Sequence, residues 1–219
     1  MLSKLPNYNN DSDIKEKKMY ELTIPQKSIA DTENYSGELL GVIGGAFFVN
    51  VTLDKAAMNK ALNLVVEHND NYCIRFSYEN NEMKQYVSEF VAQQFEVRSF
   101  NSMEEYRTWI SGYSKTLIEK NDGIFEFIMI ELPSAFGIVM RANHKVNDDI
   151  GMFLTKTQLT KYYDSIINNE AVSDEDNSSY IDYIMDEEKY TSGKKFINDS
   201  NYWHELINEH NSKIGRAHV

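Results

Sequence analysis

Residues 136–151 read FGIVMRANHKVNDDIG and predict an apolar strand, a polar turn and the approach to a helix. The strand, predicted over 136–143, would deliver His144 into the turn, with Asp148 four positions later. A fold can in this way present an imidazole to a cleft while a carboxylate shapes the turn behind it. The pattern His-x-x-x-Asp is common by chance, so the interpretation depends on the elements around it.

Strands and helices alternate along the rest of the chain. The hydrophobic pattern predicts strands over 42–53, 72–78, 85–91, 124–132 and 136–143, and helices that begin near Thr23, Asp54 and Ser102 or that cover 153–167, 180–190 and 196–207. Pro133 and Ser134 favour a hairpin between the last two strands. The order β-α-β-β-α-β-β-α is typical of an α/β fold, an α+β sandwich in which a mixed sheet is flanked by helices.

Composition and charge disfavour several classes of protein. The net charge of −12 argues against a nucleic-acid partner, because phosphates would be repelled. Cys73 is the only cysteine, so neither an internal disulfide nor a cysteine-based zinc site is possible, and His204 and His210 lack the spacing of a helical metal pair. No apolar run approaches membrane-spanning length, and residues 1–18 lack a secretory signal. We therefore expect a cytoplasmic protein without a bound metal or a membrane partner.

The two ends of the chain are predicted to lie outside the folded part. Residues 1–18 are rich in Asn, Asp, Ser and Lys and are interpreted as a flexible leader. Residues 214–219, IGRAHV, look like a one-frame translation of a common sequencing adapter, and we expect them to be an artefact; the alternative is an ordinary polar tail. On the first interpretation, residues 19–213 are the truncated front of a longer protein.

Four stretches of the chain, in order, resemble the N-terminal half of a condensation domain of non-ribosomal peptide synthetases. YELTIPQ at 20–26 is similar to the opening motif Y-x-L-[ST]-x-x-Q, and NDNYCIRF at 69–76 to the second block, [HN]-[ED]-x-L-R-x-R-F. NHKVNDD at 143–149 resembles the active-site block H-H-x-x-x-D-G. YIDY at 180–183, with NYW at 201–203, resembles the helical segment that follows. The resemblance implies a chloramphenicol acetyltransferase-like fold, present here as a half-domain.

The resemblance also assigns roles to residues of the turn. It identifies His144 as the active-site histidine and Asp148 as the structural acid. It implies that Asp148 pairs with an arginine and locks the loop, with Arg75 as the first candidate and Arg141 as the second. From the residues alone, His144 can also be a hydrogen-bonded histidine at a strand end, Asp148 a plain turn residue and Arg75 a surface residue.

Three positions depart from the family's pattern. Asn143 stands in place of the first histidine of the active-site block, Asp149 in place of its glycine, and Cys73 in place of the first arginine of the second block. Asp149 adds a carboxylate and a Cβ where the family keeps bare backbone. We therefore expect it to narrow the approach of the thioester arm to His144. Cys73 lies in an apolar segment and is interpreted as a small buried hydrophobe rather than a nucleophile.

The function implied by the resemblance is acyl transfer that forms an amide or an ester bond. Family members take both substrates as thioesters on the phosphopantetheine arms of acyl or peptidyl carrier proteins. No tightly bound cofactor is implied, and the implied partners are carrier proteins and a C-terminal half-domain, without which we expect the chain to be inactive. Two alternatives remain: a stand-alone acyltransferase of the same fold that uses a soluble acyl thioester, and a degenerate domain that docks without catalysis.

Overall fold

The computed structural model describes residues 17–80, 82–172 and 178–210. Most of the expected leader and the whole of the expected artefact, residues 214–219, lie outside these ranges. Contacts divide the chain into two compact units, Met1–Tyr180 and Ile181–Val219. The first unit holds both sheets and the predicted histidine turn, and it is the unit that concerns the site.

The helices and strands follow the predicted alternation. In chain order they are β1 (Tyr20–Glu21), α1 (Ile24–Ser36), β2 (Val42–Val49), α2 (Lys55–Glu67), β3 (Ile74–Glu79), β4 (Glu82–Val87), β5 (Glu96–Ser99), α3 (Met103–Tyr113), β6 (Phe125–Leu132), β7 (Ala135–Asn143), α4 (Asp149–Ile167), α5 (Tyr180–Thr191) and α6 (Lys194–His210). Short 3₁₀ turns precede β2, β3 and β6.

The strands form two sheets in the described part of the chain. The smaller sheet is antiparallel and has the order β1-β4-β3. The larger sheet has the order β2-β7-β6-β5, in which β5 and β6 are parallel and the other pairs antiparallel. The predicted hairpin is present, with Leu132 opposite Ala135 across the turn. The mixed sheet confirms the expected fold class.

Strand β6 is buried on both faces, which explains its nearly continuous apolar sequence. On one face, the rings of Phe125 and Phe127 contact Tyr72, with centroids 5.1 and 5.4 Å from that of Tyr72. On the other face, Ile128 packs in a cluster with Tyr106 of α3. Helices α2 and α4 pack on each other, and Tyr72 joins α4 to the aromatic face of the sheet by a hydrogen bond. Helices therefore flank the larger sheet on both sides.

The predicted N-cap residues begin their helices. Thr23, Asp54 and Ser102 each accept a backbone hydrogen bond in the first turn of α1, α2 and α3. Only half of a capping box is present at Ser102, because the Glu105 carboxylate accepts from the backbone N–H of Asn101 instead of that of Ser102. Local sequence thus located the helix starts without fixing every bond of the cap.

The boundaries of several elements differ from the prediction. Strand β2 ends at Val49 rather than at Leu53, since the residues after it turn into the Asp54 cap. Helix α4 begins at Asp149, four residues before its predicted start, because Asp148 caps it. Strands β1 and β5 were not predicted; both are short, and β5 carries charged residues because it lies at the edge of its sheet.

Candidate active site

His144 lies just beyond the end of β7, in the turn that leads to α4. Its backbone N–H donates to the main-chain oxygen of Gly41 at 2.7 Å, which ties the turn to the start of β2. Its ring Nδ1 lies 3.0 Å from the main-chain oxygen of Asn147. A carbonyl oxygen can only accept, so Nδ1 carries the proton of the neutral ring and Nε2 keeps the lone pair. Nε2 is therefore the nitrogen that can take up a proton.

The ring of His144 is half-buried and lines a cavity of about 420 Å³. Strand β2 contributes its glycine-containing segment, Ile43–Phe47, to one wall, and Met152 and Phe153 of α4 contribute to the other. Asp149 and Lys156 are the charged residues of the lining. A mainly apolar cavity with a few polar groups has the composition of a small-molecule site.

Asp148 serves as the N-cap of α4. Its carboxylate accepts from the backbone N–H of Gly151 at 2.7 Å, and the residue is exposed. The side chain of Asn143 also supports the turn, since its amide oxygen accepts from the backbone N–H of Lys145 at 2.9 Å. Both residues therefore hold the histidine turn through backbone contacts.

The predicted ion pair between Asp148 and an arginine is wrong for the residues that the structure describes. Arg75 donates from Nε to Asp122 at 2.8 Å. Arg141 pairs with Glu126 at 3.2 Å. Strand register explains the second pair, because Glu126 and Arg141 are directly opposite each other on β6 and β7.

A glycine stands two positions later than in the family's motif, at Gly151 near the start of α4. A Cβ built on Gly151 would lie 2.1 Å from the side-chain oxygen of Asn147, so only glycine fits there without a shift. Asp149, at the motif position, is exposed and is the first residue of α4. A carboxylate at a helix N-terminus interacts favourably with the helix dipole, so Asp149 is compatible with the fold while facing the cavity.

Cys73 is buried and is the last residue of the 3₁₀ turn that precedes β3. Only 7% of the residue is exposed, and burial raises the pKa of its thiol above the ordinary value. A raised pKa lowers the thiolate fraction, which makes the thiol a poor nucleophile. Burial therefore supports the interpretation of Cys73 as a small core side chain rather than a nucleophile.

Two buried polar residues of the turn had no signal in the sequence. Lys145 is 5% exposed, and its ammonium pairs with Glu33 of α1. Asn147 is 8% exposed and supplies the carbonyl that receives the His144 ring proton. Both stand in a polar run that is typical of a surface turn, and the Glu33 partner is 112 residues away. The hydrophobic periodicity of the sequence cannot reveal polar contacts between residues that are far apart in the chain.

A family model described as Condensation domain matches residues 16–215, nearly all of the chain. This chain belongs to the condensation-domain family. A plipastatin synthase of Bacillus subtilis (strain 168) is 24% identical over 161 residues, which are 70% of this chain and 6% of that protein. Surfactin synthase subunit 1 of the same organism is 22% identical over 196 residues, 84% of this chain and 5% of that protein. The condensation-domain chain thus spans a small fraction of these curated relatives.

Solved condensation domains share the fold. The starter condensation domain of the rhizomide synthetase RzmA superposes with a TM-score of 0.78 at 15% identity, covering 86% of this chain and 50% of that one. The first condensation domain of the CDA synthetase gives a TM-score of 0.73 at 17% identity, covering 87% of this chain and 51% of that one. This chain therefore spans about half the length of each of these structures.

The described residues offer no candidate for two other kinds of site. Within residues 17–80, 82–172 and 178–210, no group of three or more His, Cys, Asp or Glu side chains is arranged to hold a metal ion. Among the helices of the same ranges, none is long and apolar enough to cross a membrane. The cavity beside His144 remains the candidate site of this condensation domain.

Proposed function

We propose that this chain is the N-terminal half of a condensation domain that transfers an acyl group from a carrier-bound thioester to an amine, with His144 at the reaction centre. The observation that carries the proposal is the position of His144. Its ring lines the cavity and has its Nδ1 proton committed to Asn147, which leaves the Nε2 lone pair available for chemistry. The proposed substrates are thioesters on the phosphopantetheine arms of acyl or peptidyl carrier proteins.

The chemistry moves one proton at the point of attack. The acceptor nitrogen bonds to the thioester carbon, the carbon–sulfur bond breaks, and one proton passes from nitrogen to the leaving thiolate. Positive charge develops on nitrogen as it attacks, so a neutral imidazole nearby either accepts the proton or holds the ammonium by a hydrogen bond. Nε2 of His144 has the lone pair for either role.

Apolar side chains left exposed beside the cavity support a second half-domain as the proposed partner. On the first turns of α4, Ile150 is 66% exposed, Phe153 63% and Leu154 60%. Phe153 also lines the cavity. An apolar patch at the mouth of a cavity is typical of a surface that another protein surface covers. We propose that this surface is the seam between the two halves and that the substrates meet there.

A second candidate function is favoured by the charge at the cavity. Asp149 places a carboxylate on the lining, where the family's motif has bare backbone. If this carboxylate closes the site to substrate, the domain docks carrier proteins without catalysis. The two functions predict opposite results for the same variant of His144.

The test is a condensation assay on the complete gene product that contains this chain. An acyl-loaded and an aminoacyl-loaded carrier protein are the substrates, and the product is measured by mass spectrometry. For His144→Ala we expect a loss of about 10²- to 10⁴-fold, the usual size of a general-base contribution. His204→Ala, at an exposed position of α6, is the matched control and should retain the parent rate. Equal rates for His144→Ala and the parent would reject the catalytic role.

A further inference from the structure

A buried asparagine connects the ring of His144 to the protein core. The main-chain oxygen of Asn147 receives the His144 Nδ1 proton, and its side-chain nitrogen donates to the hydroxyl of Tyr72 at 2.8 Å. Tyr72 is 0% exposed and lies against the aromatic face of the larger sheet. The residue that orients the imidazole is thus itself anchored by a phenol in the core.

The donors and acceptors of this network have a single consistent direction. The hydroxyl of Thr155 donates to the main-chain oxygen of Gly151 at 2.8 Å, which uses its only proton. Thr155 must then accept in its contact with Tyr72, where the two oxygens are 2.7 Å apart. Tyr72 therefore accepts from Asn147 and donates to Thr155. Burial raises the pKa of Tyr72 to about 12, so the phenol keeps the proton that this direction requires.

The side-chain oxygen of Asn147 is also hydrogen-bonded. It accepts from the backbone N–H of Asp148 at 2.9 Å. The turn between β7 and α4 is therefore fixed from inside by Tyr72 and from outside by the Asp148 cap. This arrangement provides the rigidity that was expected from an ion pair of Asp148, which the described residues do not form.

We propose that Tyr72 is a positioning residue for His144, acting through Asn147 to keep the imidazole in the tautomer that carries its proton on Nδ1. Without the phenol hydroxyl, the buried Asn147 amide loses an acceptor, and leaving such a group unsatisfied favours a shift of the turn. The Asn147 carbonyl then no longer holds Nδ1, and both tautomers become populated. The consequence for catalysis rests on the proposed function, whereas the consequence for the tautomer does not.

The tautomer can be read directly in this chain without any substrate. Long-range ¹H–¹⁵N correlation spectra of histidine-labelled protein distinguish the two ring nitrogens, and His144→Ala assigns the signal. We expect the parent chain to show the Nδ1–H form and Tyr72→Phe to show a mixture of forms. Asn147→Ala, which leaves the bond between Tyr72 and Thr155 in place, should have the same effect.

Tyr162→Phe is the matched control. It removes another buried hydroxyl, one that contacts the His68 ring at 2.8 Å, so it should change the His68 signal and leave that of His144 as in the parent. Thermal melts establish which variants are folded. An unchanged His144 tautomer in folded Tyr72→Phe and Asn147→Ala would overturn the proposal.

A kinetic readout separates this proposal from the proposed function. In the complete gene product, we expect Tyr72→Phe to lower kcat about ten- to hundredfold while KM stays near the parent value, because a misplaced base weakens the chemical step. A parent protein that makes no product rejects the proposed function but leaves the spectroscopic result to decide the role of Tyr72. A parent that is active, with kcat unchanged in folded Tyr72→Phe, rejects the positioning role.

Discussion

At the scale of single residues, His144 is held both by its backbone and by its ring. The backbone contact reaches Gly41 and the ring contact reaches Asn147, so the orientation of the imidazole depends on two separate segments of chain. Asp149, one of the three departures from the family's pattern, lines the same cavity as this ring. Its carboxylate is therefore the change whose effect on activity we expect to be largest.

Replacement of Asp149 should increase activity. Asp149→Gly removes both the carboxylate and the Cβ from the cavity lining, and we expect kcat/KM to rise about tenfold, equivalent to about 1.4 kcal/mol of barrier. Asp149→Asn keeps the size of the side chain and removes its charge, so the pair of variants separates steric from electrostatic effects. The measurement is the condensation assay at saturating and limiting acceptor. Lower activity in both variants would mean that the carboxylate binds the substrate.

The raised pKa of Tyr72 predicts that the folded chain loses stability at alkaline pH. Its pKa is about 12 in the folded chain, above its ordinary value of 10.0. As the pH rises, the unfolded state therefore loses the phenol proton before the folded state does. The contribution of the protonated phenol to the free energy of unfolding is complete below pH 10. Above pH 10 it falls by about 1.4 kcal/mol per pH unit until the folded-state pKa is reached.

The experiment on Tyr72 compares two chains, because burial also raises the pKa of Tyr113 to about 12. Free energies of unfolding of the parent and of Tyr72→Phe are measured in urea over a series of pH values. Their difference should be constant below pH 10 and should decline above it. A difference that stays level up to pH 12 would contradict the assignment.

At the scale of elements, the turn between β7 and α4 is fixed by contacts with several other elements. The 3₁₀ turn before β3 contributes Tyr72, α1 contributes Glu33 to the ion pair with Lys145, and the segment before β2 contributes the oxygen of Gly41. Buried partners of this kind are costly to remove singly, since the remaining charge or polar group is left unpaired. The histidine turn therefore keeps its shape only when these elements are assembled.

The cap made by Asp148 can be distinguished from an ion pair by stability. Asp148→Asn keeps a good N-cap and loses mainly a charge–dipole interaction, so we expect a loss of about 0.5 kcal/mol. Asp148→Ala loses the cap as well, and we expect about 1.5 kcal/mol. Urea unfolding measures both, with Asp54→Asn at the cap of α2 as the matched control. A loss above about 3 kcal/mol in Asp148→Asn would instead indicate a buried ion pair.

At the scale of the whole molecule, the exposed apolar surface beside the cavity limits what the chain can do by itself. Ile150, Phe153 and Leu154 on the first turns of α4 are 66%, 63% and 60% exposed. A cluster of exposed apolar side chains favours association with another protein surface. The proposal of a second half-domain therefore makes a prediction for residues 1–213.

Residues 1–213 alone should not turn over substrate. The walls of the cavity come from β2, α4 and the histidine turn, and we propose that a second half-domain closes it. We expect purified 1–213 to self-associate in size-exclusion chromatography with light scattering, and to gain activity when the downstream part of the gene product is supplied. A monomeric, active 1–213 would contradict this prediction and favour a stand-alone acyltransferase.

The sequence located elements and motifs better than contacts. Apolar runs and capping residues identified β6, β7 and the start of α2, because these signals are local and repeat with the period of the element. The family resemblance, in contrast, implied that Asp148 pairs with an arginine. Arg141 instead pairs with Glu126, because the register of the hairpin brings the two together. The turn at Pro133 and Ser134 fixes that register, so this pair follows from the predicted hairpin.

What the sequence determined by itself is the family, the fold class and the place of His144 at the end of a strand, since each depends on residue order and hydrophobic period. Only the tertiary structure decided how the imidazole is held. The contacts of Asn147 with Tyr72 and of Lys145 with Glu33 join residues far apart in the chain. Such polar contacts form only after hydrophobic packing has brought the elements together, and for that reason the linear sequence carries no sign of them.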